Sequence, residues 1–599
     1  MKRIATYILI SVFISILGCK STENAPNEEK QAFSGNTNKY ERIDQLISTK
    51  TDILIQFKSI ASFYYNFLFN DYSLFGIELG NEELENMKKS TKFNILSIKE
   101  LEEHGFDTTI PIGMGFIDFS FGSQNNNVKH DNKLVIFFPA KDSGKILDWL
   151  LEMNDITMEQ VENLEGENIF FFKGKNSQYF GLRRTANYLI LAVDLTPIPL
   201  SFRGEDGIAQ IKQSFINTLS PQAVLTTDKY YKDVAKNLKI SNVNKDAFFY
   251  INMQTLFTRL AETESITGPP RLFFDLFTGM QGLGYTADYS GSDLIIDSVM
   301  NVEPDSFYSS MYTDVTADKD IIFCLKEKPV LLATSALNVK AFYELIMKKL
   351  EEAGIVKAEE LREKILDLNQ KLEMDIEKDI IANFAGSINF AIAPLHEQAK
   401  FPQAILTFNL RDPDKFKTIL AKIEPLLLSA FAALGGRIEK ETIAGEEVTK
   451  IQTENFNLYL GIAKNNLIIS LGRDIYEQAA TGSVDKGFLK LITESEIKSH
   501  LKKDLSCVYL DFQAGLELVN NIPVLNDLLI KTGEKGEQIR NFLGMIEYLF
   551  SYSNFSGQGV NGTLKIKTSF SKSFMQSLIE FIKMIFRFDK GKLAPPDIT

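Results

Sequence analysis

The sequence predicts an α+β fold built as two tandem domains, each a mainly antiparallel sheet with helices packed on it. Two observations carry this expectation: a colinear internal repeat, and within each copy an alternation of short β-rich runs with runs of helical apolar spacing. Composition agrees, since 44% hydrophobic and 24% charged residues over 599 positions are those of a globular chain with room for more than one core.

The repeat is read residue by residue. Lys133 to Phe138, followed by PAKDSGKILDWLLEM, matches Gln403 to Phe408, followed by NLRDPDKFKTILAKI, with Asp142 on Asp412, Lys145 on Lys415 and Leu150 on Leu420. Upstream, Ile117-Asp118-Phe119 stands where Ile388-Asn389-Phe390 does. Downstream, Gly166-Glu167 returns as Gly445-Glu446, Tyr179-Phe180-Gly181-Leu182 as Tyr459-Leu460-Gly461-Ile462, and Asn187-Tyr188-Leu189-Ile190 as Asn465-Asn466-Leu467-Ile468. Phe249-Tyr250-Ile251 with Gln254 matches Val508-Tyr509-Leu510 with Gln513. The order is kept throughout, which places repeat 1 at 41–305 and repeat 2 at 306–592, with a tail at 593–599.

In the second copy 330–334 reads as a strand, and 338–352 as a helix through Val339, Phe342, Leu345, Ile346 and Leu350. A second helix over 357–376 precedes strands at 388–392 and 405–410. Asp412 then caps a helix carrying Phe416, Ile419, Leu420 and Ile423, and 448–451 is the next strand. This element order resembles the split β-α-β arrangement of ferredoxin-like folds in the first half of each copy. A hairpin over 459–463 and 467–471 follows, with Asn187 and Asn465 expected at positive φ in the two turns. The strand at 507–511 makes Cys507 a small core hydrophobe. Each copy ends on an alternating strand, Leu294, Ile296, Ser298 against Leu564, Ile566, Thr568.

The amino terminus specifies an address. Lys2 and Arg3 precede an apolar run from Ile4 to Leu17 that ends in Ile16-Leu17-Gly18-Cys19. The run is shorter than the roughly 20 residues that span a bilayer, and its ending resembles a bacterial lipobox. The resemblance implies a signal peptide at 1–18, cleavage before Cys19, and lipidation of Cys19. Residues 19–40 are then a polar tether, reaching roughly 25 Å as a coil and at most about 70 Å stretched. Lys20 rather than Asp after the cysteine leans toward the outer membrane by the rule for enteric lipoproteins.

Charge and chemistry narrow the function. Loss of Lys2 and Arg3 takes the net charge from -13 to -15, an acidic surface that disfavours nucleic acid and anionic headgroups. Cys324 and Cys507 are the cysteines left besides Cys19, so a disulfide framework is not expected, although one bridge between them stays open. His104, His130, His396 and His500 lie too far apart for a metal-binding helix, and Asp314, Asp318 and Asp320, or Asp288 and Asp293, lack the glycine and spacing of a calcium loop. Neither Gly174-Lys175-Asn176-Ser177 nor the glycines from Gly279 to Gly284 complete a phosphate cradle, and no Gly-x-Ser-x-Gly elbow occurs. The polar residues common to both copies read as caps, helix surface and strand ends. No catalytic residue, metal or cofactor is therefore expected, and the chain is read as a non-enzyme.

Two apolar segments stand out, Leu272 to Phe277 and Phe574 to Phe586. A helix apolar over so wide an arc is buried on its own sheet or meets a lipid or a partner, which makes Phe273, Phe274, Phe277, Phe574, Phe581 and Phe586 the candidate hydrophobic contact surface. With the lipobox, the tether and runs such as AILTFNLRDPDKFKTIL and NLYLGIAKNNLIISLG, the chain resembles uncharacterised bacterial envelope lipoproteins built from duplicated strand-helix units. That resemblance implies an envelope protein held on the membrane by lipid at Cys19, without assigning an activity. The expectation is a non-catalytic body that binds or scaffolds an envelope protein. The alternatives are a carrier for a hydrophobic ligand, which calls for an apolar cavity of several hundred Å3, or a surface-exposed adhesin or antigen.

Overall fold

The computed structural model describes residues 41–586 apart from 68–72, 75–76, 79, 120–131, 165–167, 175–178, 196–204, 241–244, 263–278, 305, 314, 316, 353–357, 397–400, 433–435, 454–455, 523–525, 527–533 and 557–558. The signal segment, Cys19, the tether, Phe273, Phe274, Phe277 and the tail lie outside the described residues. The chain falls into two compact units, one drawn from Met1–Leu260, Gly282–Val299 and Phe570–Thr599, the other from Ala261–Gln281 and Met300–Ser569.

Unit 1 starts on β1 (Thr51–Phe57), followed by α1 (Ile60–Phe67), α2 (Asn81–Thr91), α3 (Ile98–Glu103), β2 (Ile112–Ile117), β3 (Lys133–Pro139) and α4 (Ser143–Met153). Then come β4 (Glu162–Leu164), β5 (Ile169–Lys173), β6 (Tyr179–Arg184), β7 (Tyr188–Asp194), α5 (Glu205–Leu219), α6 (Lys229–Asn237), β8 (Ala247–Asn252), α7 (Met253–Glu262) and β9 (Met280–Asp288). The pairings are antiparallel, in the order β9-β8-β1-β2-β3-β7-β6-β5-β4. One face buries Leu54, Val135, Phe137, Ile190 and Tyr250 against Phe215 of α5 and Val234 of α6. The other packs Leu134, Ile136 and Phe138 on Ile146, Leu147 and Trp149 of α4. Asp142 fixes the start of α4, accepting the Gly144 and Lys145 amides at 3.0 and 3.3 Å.

β10 (Leu294–Val302) and α8 (Phe307–Tyr312) lead to β11 (Leu331–Ala336), α9 (Val339–Glu352), α10 (Ala358–Leu372), β12 (Phe384–Ile392), β13 (Ala404–Leu410) and α11 (Pro413–Ala432). Next are β14 (Arg437–Ile443), β15 (Glu446–Gln452), β16 (Asn457–Ala463), β17 (Asn466–Leu471), α12 (Arg473–Thr481), α13 (Ser495–Lys503), β18 (Ser506–Asp511), α14 (Phe512–Asn521), a helix at Glu534–Gly544 that packs on α14 and β19, β19 itself (Ile546–Ser556), β20 (Gly559–Thr568) and α15 (Phe574–Phe586). The antiparallel order within unit 2 is β20-β19-β18-β11-β12-β13-β17-β16-β15-β14. Its sealed face buries Leu332, Ala391, Ile405, Ile468, Cys507 and Tyr509 against Ile475 and Tyr476 of α12 and Ile497 and Leu501 of α13. Asp412 accepts the Lys415 amide at 2.9 Å.

The chain is thus α+β with antiparallel sheets and packed helices, and several finer expectations are corrected. The ferredoxin-like order does not form: β11 pairs directly and antiparallel with β12. A single crossover helix returns a strand parallel to its predecessor, whereas two successive helices, here α9 and α10, bring the chain back to the end it left. The match of Ile117-Asp118-Phe119 with Ile388-Asn389-Phe390 is displaced, because Gly115 opposes Val135 as Ala391 opposes Ile405, which puts Ile112-Gly113-Met114 in that place. Lys464 and Asn465 turn at φ 48° and 59°, but Asn187 is not among the positive-φ residues. Its side-chain oxygen instead accepts the Glu41 amide at 3.0 Å. β14, RIEKETI, was not expected, since its charges hide the alternation of a strand that, among the described residues, pairs only with β15.

α15 belongs to unit 1, although it follows the last strand of unit 2. Ile579, with Met575 and Ile582, packs with Phe63, Phe67, Leu96 and Tyr289. Gln576 Nε2 donates to the Tyr65 carbonyl at 2.9 Å.

Candidate functional site

The feature of unit 2 that packing leaves unexplained is the second face of its sheet. Strand registers align two rows of side chains across six strands. One row is Leu549, Leu510, Leu331, Ile392, Ala404 and Leu471, and the other is Ser551, Val508, Ala333, Phe390, Leu406 and Ile469. Every member is half-buried. A helix seated on a sheet closes such rows almost completely, as α4 does in unit 1.

The sealed face carries some polar side chains among its hydrocarbon ones. The sealed face holds Thr334, Asn389 and Thr407, with exposures of 1%, 0% and 0%. Asn389 Nδ2 donates to the Asp318 carbonyl at 3.0 Å and to Thr407 Oγ1 at 3.2 Å, and Ser387 Oγ donates to the same carbonyl at 2.6 Å. Apart from Ser551, the two rows on the second face are hydrocarbon side chains as well. An antiparallel sheet ordinarily buries its apolar face and wets the polar one; here the second face is apolar and half-buried.

The cover is uneven. α11 closes one end, where Phe416 and Ile419 pack with Leu460, Ile462 and Leu467. Toward β12 and β11 it thins, for none of the described side chains of α9 is fully buried, and Phe342 is 39% exposed. On the opposite side of α9 runs a groove of about 540 Å3 walled by Lys340, Tyr343, Glu344, Lys348, Glu377 and Lys378. A π-helical turn, Ile376–Ile380, forms its far wall, and Tyr343 donates to Glu377 at 2.9 Å. This groove is charged with both signs and is not the apolar chamber of the carrier expectation.

The densest set of reactive groups is sealed. Lys319 Nζ donates to the Leu501 carbonyl at 2.9 Å and to that of Asp504, and lies 3.7 Å from Cys507 Sγ. Burial lowers the Lys319 amine and pushes the Cys507 thiol up to about 11. His500 Nδ1 bonds Asp504 at 2.6 Å and its ring stacks on Tyr552 at 3.6 Å, while Cys507 Sγ meets the His500 carbonyl at 3.4 Å. Cys507 is 1% exposed and Cys324 4%, and both are free. A nucleophile requires a reachable thiolate, and the burial of Cys507 withholds one.

Of the residues singled out in the sequence, Phe574 is buried at the start of α15, 5.9 Å from Phe570 between ring centres, and Phe581 is half-buried on the same helix. Phe586 ends α15. Among the described residues no group of three acidic, histidine or cysteine side chains could hold a metal, and no helix is long and apolar enough to cross a membrane. His104 bonds the Glu100 carbonyl at 2.8 Å, and His396 lies 3.6 Å from Glu327. Sequence reasoning missed the open face because alternation in SINFAI and AILTF identifies the apolar side without saying how well it is covered.

No curated protein matches the chain. A solved structure, crystal form III of TP0453, aligns with 44% of this chain and 80% of its own at 10% identity and a TM-score of 0.22, too slight a likeness to carry an argument. Residues 208–541, more than half of the chain, match a family described as a protein of unknown function, DUF3352. The chain belongs to the DUF3352 family of proteins of unknown function.

Proposed function

We propose that the protein is a non-catalytic envelope lipoprotein, anchored by acyl groups on Cys19, whose two tandem copies of one domain form a binding body. The observation that carries the binding role is the half-covered apolar face of unit 2. The anchor reading rests on Lys2, Arg3, the apolar run and Leu17-Gly18-Cys19. The chemical quietness of the Lys319, Cys507 and His500 cluster supports a role without catalysis.

The tandem reading draws support from hydrogen bonds that recur at matching places. Ser306 and Ser573 accept the Ser309 and Gln576 amides at 3.3 and 3.2 Å, each after the last strand of its repeat. Asn252 and Asp511 accept the Thr255 and Ala514 amides at 3.1 and 3.0 Å, each at a strand end. The Glu303 amide meets the Gly279 carbonyl at 2.8 Å, and the Ser569 amide that of Met545 at 2.9 Å. The common order of strands agrees.

The test is purification from the native cell in mild detergent, with mass spectrometry of the N-terminal peptide and of everything retained. A diacylglyceryl-modified Cys19 together with a reproducibly retained molecule is the expected result. An unmodified Cys19, or a body that retains nothing, overturns the reading. A protein partner remains the second form of it, favoured by Leu366 and Leu368 of α10, which stand 57% and 46% exposed.

A further inference from the structure

We propose that Cys324 and Lys464 form an oxidative modification site, joined by a sulfur–nitrogen bond when the protein meets hydrogen peroxide. The proposal goes beyond the binding reading above and does not depend on it.

Among the described residues of unit 2, two thiols lie against lysine amines, and the two contacts differ in access. Lys464 stands exposed in the turn from β16 to β17. Its Nζ donates to the Ala479 and Gly482 carbonyls at 3.1 and 2.6 Å and lies 3.4 Å from Cys324 Sγ. Cys324 follows the helical turn Asp320–Phe323, and its sulfur also meets the Asp320 and Gly482 carbonyls at 3.1 and 3.3 Å. The cysteine itself is 4% exposed, but Lys464 and Asp320 are exposed and Gly482 is half-buried, so its sulfur sits directly beneath surface residues. The second contact, Lys319 to Cys507 at 3.7 Å, is closed from both sides, since the two residues are 3% and 1% exposed.

Reacting atoms about 3–3.5 Å apart are within near-attack range, and the Cys324–Lys464 separation falls inside it. Peroxide transfers an oxygen to the Cys324 thiol: the O–O bond breaks, an S–O bond forms and water leaves, giving the sulfenic acid. Such a sulfur is electrophilic and condenses with a thiol or with a neighbouring nitrogen. Cys507 is sealed, which leaves Lys464 as the partner. Once its ammonium has released a proton to solvent, the Nζ lone pair attacks the sulfur. The S–N bond forms as the S–O bond breaks, and the departing hydroxide takes a proton from nitrogen and leaves as a second water. Sulfur has then given an electron pair to the peroxide, and a thiol reductant reverses the step. A compartment outside the cytosolic glutathione and thioredoxin pools is where such a link would last.

The experiment treats the full mature chain with hydrogen peroxide, digests it with trypsin and maps the peptides by mass. Residues 320–326 and 451–473 should appear as one linked species, about 2 Da lighter than the two peptides together, and dithiothreitol should separate them. Cys507 should remain a free thiol in the same digest. Lys464→Gln, a change at an exposed side chain, should abolish the linked species and leave Cys324 open to the sulfenic-acid trap dimedone, with thermal unfolding as the check on its fold. A parent chain whose Cys324 stays a thiol, or is oxidised without being linked, overturns the proposal. So does a linked species of any other mass, or an equal yield of a Lys319–Cys507 link, which would show that access does not select the site.

Discussion

Asp52 shows how much of this protein's energetics sits in single buried groups. Its side chain is fully buried, pairs with Arg259, and accepts the Phe119 amide at 2.6 Å. Arg259 also reaches Asp118 at 2.7 Å, which Lys50 approaches at 3.4 Å. Burial is the largest influence and raises Asp52 to about 6, although Arg259 pulls the other way. The folded chain therefore holds the Asp52 proton more tightly than the unfolded chain does. Its stabilising share is full below pH about 4 and is lost as pH rises through about 6, a swing of about 3 kcal/mol. Asp52→Asn should flatten the dependence of unfolding free energy on pH between 4 and 6.5 relative to the parent; an unchanged slope would remove the argument. Gly461 offers a steric counterpart, since a Cβ there would collide with the Tyr476 hydroxyl of α12. Gly461→Ala should cost about 1–3 kcal/mol in denaturant melts, and a neutral result would mean α12 sits less tightly on β16. Of these two residues, the recurrence of Gly181 and Gly461 was legible in the sequence. Asp52 was not, because its partner Arg259 comes from a helix 207 residues away.

Elements were legible where pattern and packing agree. Asp412 and the helix it caps could be read because capping is a local exchange of hydrogen bonds. β14 could not, since an edge strand carries charge to resist pairing with other chains. Its Glu439, Lys440 and Glu441 do this, meeting Lys450 at 3.4 Å, Glu424 at 2.7 Å and Arg473 at 2.6 Å. The apolar arc of α15 announced a buried helix, but nothing local named its seat on α1, 511 residues away by the Gln576 to Tyr65 bond. Removing 574–599 should uncover Phe63 and Phe67 and lower the stability of unit 1 by roughly 2–5 kcal/mol. Hydrogen exchange would then quicken in β1, β8 and α1 while β11 and β12 keep their protection. Equal loss in β11 and β12 would show that α15 serves unit 2 instead.

At the scale of the whole chain, the strongest expectation drawn from the sequence is that one domain was copied, and that idea makes a symmetrical demand on energetics. Leu54 opposes Tyr250 and Gly115 in unit 1, while Leu332 opposes Tyr509 and Ala391 in unit 2. Both leucines are 0% exposed. If the units are copies, these are the same position, and truncating either removes the same contacts from a central strand. Leu54→Ala and Leu332→Ala should each cost about 2–5 kcal/mol, the usual range for a buried leucine in a core that cannot collapse onto the gap. Each loss should be confined to its own unit, because cooperative openings follow contiguous packing. Hydrogen exchange measured on both variants decides it: Leu54→Ala should expose amides of β1, β2 and β8, and Leu332→Ala those of β11, β12 and β18. A variant that loosens both units equally, or one leucine that proves dispensable where the other is not, would mean that shared strand order conceals two different cores.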